Sequence, residues 1–177
     1  MKRTIWLWQL FGFAITSFLG TLLHFLYDWT DKSFLAALFS GVNESTWEHM
    51  KLLFWPMLVF AVFQSFFFKG YKSFICVKLS GLLLGLSLIP VLFYTYNGAI
   101  GKSADFVNII IFFVSAALAY AYEAKLLGNP DTRCRFPKIA IMIVCVIGLL
   151  FVVFTFKAPH MPIFKDPISE TYGIDIQ

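Results

Sequence analysis

Charge is scarce in this sequence. Asp, Glu, Lys and Arg make up 14% of its 177 residues, where a soluble domain averages roughly 25%. That deficit excludes an ordinary water-solvated surface. Hydrophobic residues make up 59% and aromatic residues 19%, so lipid rather than a closed core must receive the apolar side chains. Cysteine is scarce too. Cys76, Cys134 and Cys145 match no metal-binding spacing, and none suggests an extracytoplasmic disulfide. They are expected to be small apolar fillers.

Several catalytic signatures are missing. There is no His-Glu-x-x-His and no Gly-x-Ser-x-Gly, and the inverted zinc pattern would need histidine where Ser45 stands. The stretch from Gly98 to Ser103 imitates a phosphate loop, but its first required glycine falls at Tyr96, after an apolar helix rather than a strand. The formal charge of +4 comes from dispersed basic residues, so no nucleic-acid partner is expected.

What the sequence has is long apolar runs. A membrane span needs about 20 such residues. Five stretches qualify: Ile5 to Tyr27, Trp47 to Phe68, Phe74 to Tyr96, Phe106 to Leu127, and Pro137 to Phe156. Runs of this length predict helices. Loop punctuation separates them at Lys69-Gly70, Asn97-Gly98, Gly101-Lys102-Ser103 and Gly128-Asn129-Pro130. The start, Met1-Lys2-Arg3 before an apolar run, imitates a signal peptide. The run is longer than a signal core and lacks a small-x-small cleavage site, so an uncleaved first span is expected.

Basic residues set the direction. One side carries Lys2, Arg3, Lys69, Lys72, Lys78, Lys125, Arg133, Arg135 and Lys138. The other carries Lys32, Lys51, Lys102, Lys157 and Lys165, diluted by most of the acids. The expected fold is therefore an all-α transmembrane bundle of five helices over residues 1–157, N-terminus inside and C-terminus outside. Trp29, Trp47 and Trp55 fit an outer aromatic belt, and Trp6 and Trp8 an inner one. Gly12, Thr16 and Gly20, the Gly81/Gly85 pair and the Ala117/Ala121 pair suggest close helix contacts.

All three histidines fall at the outer end. His24 closes the first span with Asp28 one turn beyond it, His49 opens the second, and His160 follows the fifth. Glu44, Glu48 and Lys51 lie at the same level, with Asn43, Asp166 and Tyr172 as further candidates. Three imidazoles and a carboxylate suit a divalent metal such as zinc. His24, Asp28, His49 and His160 are the expected ligands, Glu44 or Glu48 the general base, and Lys51 an electrostatic stabiliser or ion-pair partner. The same residues also fit an ordinary helix start, since Ser45 and Glu48 have capping-box spacing. Residues 158–177 are too proline-rich for a helix yet carry Ile163, Phe164, Ile168, Tyr172 and Ile174 as anchors. An extended tail folding over the outer mouth, bringing His160 and Asp166 to the site, is expected.

The stretch from Leu23 to Asp28, with Val42 to Leu52, the later Pro56 and the His-x-Pro-x-Phe-x-Asp-Pro pattern of His160 to Pro167, resembles a family of small bacterial multi-pass membrane proteins known as a domain of unknown function. The resemblance covers most of the chain. It implies a bacterial inner-membrane protein and supplies no activity. Three functions stay open: a metal-dependent hydrolase acting on a lipid or envelope substrate, a transporter or transporter subunit, and a non-catalytic sensor or assembly factor.

Overall fold

The computed structural model describes residues 2–101 and 105–174. Lys102 and Ser103, invoked above as loop punctuation, and the last three residues of the expected tail lie outside the described residues. The chain forms α1 (Lys2–Trp29), α2 (Phe34–Phe39), α3 (Thr46–Ser65), α4 (Phe74–Ile100), α5 (Asp105–Leu127) and α6 (Pro137–Phe156), followed by a 3₁₀ turn at Pro162–Phe164. No strand occurs among the described residues.

Four helices, α1, α4, α5 and α6, are long and apolar enough to cross a membrane. They leave large side chains such as Leu7, Phe18, Val91, Ile109 and Leu149 uncovered, as a lipid-facing surface requires. α3 covers another apolar run, but Glu48, His49 and Lys51 in its opening turns lower its apolarity. It is also the hub of the bundle. It packs against α1, α4, α5 and α6, and the consecutive residues Leu52, Leu53 and Phe54 are all buried. Its second half is less enclosed, with Val59, Val62 and Phe63 exposed.

Small residues let the backbones meet, though not always those the spacing suggests. α1 buries Ile5, Gln9, Gly12, Thr16 and Gly20 along one face. Gly81 sits against the Glu123 carboxylate and Gly85 against Leu53 and Ala119. In α5 the buried alanines are Ala116, Ala119 and Ala124, whereas Ala117 is exposed. One position of slip turns a side chain by about 100°, enough to move it from the packed face to the outer one. Replacing Gly12 with alanine would drive a methyl into the rings of Phe60 and Tyr120. The expected loss is about 1–3 kcal/mol, read as a lowered midpoint of thermal unfolding in detergent. Gly98→Ala, which meets no neighbouring atom, should lose nothing.

The ends of the helices define two opposite faces. The α1 start, the α3–α4 turn and the α5–α6 connection form a basic end, and His24, α2 and the α3 start form a histidine end. At the basic end Cys76 and Cys134 are joined in a disulfide with Cα atoms 5.5 Å apart. The reading of these two cysteines as apolar fillers is therefore corrected. They lie 58 residues apart in sequence, and only the return of the chain after α5 brings them together. Cys145 is free and exposed.

Candidate metal centre

The chain reverses after α1 through Asp31 and Lys32, both at positive φ (49° and 59°). The Lys32 N–H donates to the Tyr27 carbonyl at 2.9 Å, closing the helix end as a left-handed cap does. Asp28, at this reversal, is exposed. The chain then passes through α2 and returns to start α3 at Ser45. The Ser45 hydroxyl accepts the Glu48 N–H at 3.3 Å, which is half of the expected capping box. The other half is replaced. The Ser45 N–H goes to Asn43 Oδ1 at 3.0 Å, because the Glu48 carboxylate is engaged elsewhere.

This local arrangement presents Glu44 to two histidines. Its carboxylate oxygens lie 3.6 Å from His24 Nε2 and 3.5 Å from His49 Nε2. One ligand atom from each of the three residues falls within 4.8 Å of the others. The separations of 3.5 and 3.6 Å exceed the 2.7–3.2 Å of a hydrogen bond. They match the edge of a zinc tetrahedron, about 3.4 Å for bonds of 2.0–2.1 Å. His49 Nδ1 lies 3.0 Å from the Ser45 carbonyl, so the ring nitrogen placed there donates its proton to that oxygen. That contact leaves Nε2 as the ring nitrogen directed at the Glu44 carboxylate. A proton or a metal ion between the two groups would satisfy both. Carbonyl–imidazole–ion geometry of this kind orients metal-bound histidines generally.

Beside the three residues lies a cavity of about 440 Å³, lined by Gly20, Phe25, Leu52, Phe112, Phe113 and Ile168 among others. Asn108 also lines it, and its Oδ1 is buried with no hydrogen-bond partner among the described residues. An orphaned acceptor in an apolar wall is costly. Sequence reasoning missed Asn108. A polar residue early in the apolar run from Phe106 was the available signal.

Glu48 and Lys51 belong to a different arrangement. They form an ion pair of 2.5 Å at 2% and 0% side-chain exposure respectively. Lys51 Nζ also donates to the Ala37 carbonyl at 3.0 Å and Thr155 Oγ1 at 2.8 Å, and Glu48 accepts the Val42 N–H at 3.2 Å. Neither residue lines the cavity. Together they fasten α2, the segment leading to Glu44, α3 and α6. Asn43 extends the same function, since its Nδ2 donates to the Gly173 carbonyl at 3.0 Å.

The tail places its candidates apart from the histidine pair. His160 stacks on Tyr172 with centroids 4.6 Å apart. Asp166 is buried and organises a turn, accepting from the Ile168 N–H at 2.7 Å and the Ser169 hydroxyl at 2.9 Å. Phe164 packs against Trp47 and Phe154. Of the expected metal set, the structure brings His24 and His49 together. Asp28 and His160 are not in the cluster, and Glu44 is its third member.

A second buried polar group lies at the basic end. Lys78 and Glu123 pair at 2.5 Å, and Lys78 Nζ donates to Gln64 Oε1 at 3.1 Å. A carboxylate within an apolar run needs a cationic partner, so Glu123 was the sequence signal. Lys78 was hidden by being counted among the loop cations.

Neither the curated proteins nor the solved structures hold a match to the chain. A family model does match, over residues 2–174. The chain belongs to the family of unknown function DUF6512.

Proposed function

We propose that this is a five-span bacterial inner-membrane protein, N-terminus inside, whose outer mouth binds a divalent metal ion through His24, Glu44 and His49 and uses it to hydrolyse a lipid or envelope substrate. The observation that carries the reading is the convergence of two imidazoles and a carboxylate within 4.8 Å, from the end of α1 and the start of α3. Two histidines and a glutamate form a known catalytic zinc set, which keeps a position for water and lowers its pKa to about 7. Asn108 is suited to accept a hydrogen bond from the substrate, and the apolar cavity walls are suited to hold a hydrocarbon chain. The direction rests on the basic residues of the other end, against which the Cys76–Cys134 disulfide at that same end counts, and α3 makes the fifth span.

The test uses protein purified without chelators or metal-affinity columns. Elemental analysis is expected to find a transition metal at one ion per chain. In proteoliposomes, mass spectrometry should then detect cleavage of outer-leaflet lipids that stops on chelation and resumes with zinc. Metal-free protein cleaving at the same rate would sink the reading.

A transporter is the second reading, supported by the buried Lys78–Glu123–Gln64 group and the Thr16–Tyr120 hydrogen bond of 2.7 Å deeper in the bundle. Solute uptake into proteoliposomes, abolished by Glu123→Gln, would favour it.

A further inference from the structure

The basic end holds a second cavity, of about 740 Å³, that the metal centre does not use. Three cations from three separate elements line it: Lys2 from the start of α1, Lys72 from the α3–α4 turn, and Arg133 from the α5–α6 connection. None has a carboxylate partner among the described residues. Cations gathered around one space without counter-charge repel each other, and an anion placed among them removes that cost.

Two further features point the same way. Ser73, the N-cap residue of α4, lines this cavity and makes no side-chain capping bond. The first-turn N–H groups of a long helix are a ready anion site. Ser73 is only 9% exposed, and its hydroxyl has no hydrogen-bond partner among the described residues. An unengaged hydroxyl beside a helix N-terminus, in a cavity lined by three cations, can donate to a phosphate oxygen. The disulfide to Cys76 secures the wall, since Cys134 lines the cavity next to Arg133.

We infer that this cavity binds a phosphate group, held by Lys2, Lys72, Arg133, the Ser73 hydroxyl and the N-terminus of α4. A phospholipid head group of the adjacent leaflet and a soluble phosphate compound share that chemistry. Lys and Arg pockets between membrane helices are known to take anionic head groups.

The test uses the full chain in an uncharged detergent, read by native mass spectrometry and thermal shift. Three probes are added separately: phosphatidylglycerol, phosphatidylcholine and inorganic pyrophosphate. Phosphatidylglycerol should be retained and raise the unfolding midpoint, with phosphatidylcholine retained at least tenfold less. If the source is soluble, pyrophosphate alone reproduces the shift, and the phosphate site stands. Arg133→Gln with Lys72→Gln should lower retention at least tenfold. Lys138→Gln, a cation of the same end that does not line the cavity, should leave it unchanged. Equal retention of the two lipids without a pyrophosphate effect would overturn the inference. So would equal losses in the Lys138 and Arg133/Lys72 variants, which would mean general surface charge.

Discussion

Glu44→Gln is expected to strip the protein of its metal while leaving the fold in place. The carboxylate bridges the two imidazoles, 3.6 and 3.5 Å from their Nε2 atoms, and an amide keeps its shape without its charge. Removing a group that only orients a ligand typically costs 10–100-fold in affinity, so a ligand itself should cost at least about 100-fold. His24→Ala and His49→Ala should do the same. Asp28→Asn and His160→Ala should keep a full complement of metal, because one side chain is exposed at the helix end and the other stacks on Tyr172. Elemental analysis of all five variants, with circular dichroism as the folding control, separates these outcomes. Full metal in Glu44→Gln, or loss in His160→Ala alone, would show that the ligands lie elsewhere.

The contrast between these two sets shows what the residues themselves disclose. Apolar runs announce helices through length alone, so α4 and α6 are legible from Phe74 and Pro137 onward. That His24 and His49 share one end follows from counting helices. Which carboxylate meets them does not, because it depends on the turn before α3, where Glu48 takes the Val42 N–H and Asn43 takes the Ser45 N–H. Glu44 and Glu48 are both acids near a helix start. One faces the cavity and the other is claimed by Lys51 three residues on. α2 is silent in the sequence for another reason. Its six residues are too few for periodicity to register, yet Ala37 within it supplies the carbonyl that fixes Lys51. Cys76 and Cys134 fall in the same class, as a contact made only by tertiary return of the chain.

The largest loss of stability should come from Lys51→Ala. Lys51 is fully buried, and its ammonium uses its three donors on Glu48, the Ala37 carbonyl and Thr155. Truncation leaves the Glu48 carboxylate, 1% exposed, without its counter-charge. Breaking a buried pair from one side costs about 3–5 kcal/mol, enough to exhaust much of the stability of a small domain. The expected result is a collapse in folded yield from detergent extracts. Lys51→Met combined with Glu48→Leu should recover much of it, since replacing both charges with apolar side chains is often neutral. Metal affinity should not recover with it. The Val42 N–H loses its acceptor on Glu48, and the segment presenting Glu44 loosens, for an expected 10–100-fold loss as in other orienting contacts. Stability and metal binding would thus part in the double variant. A double variant with normal metal content would assign the pair to the fold alone. A stable Lys51→Ala with full metal and no hydrolysis would instead place the ammonium among the groups that touch substrate.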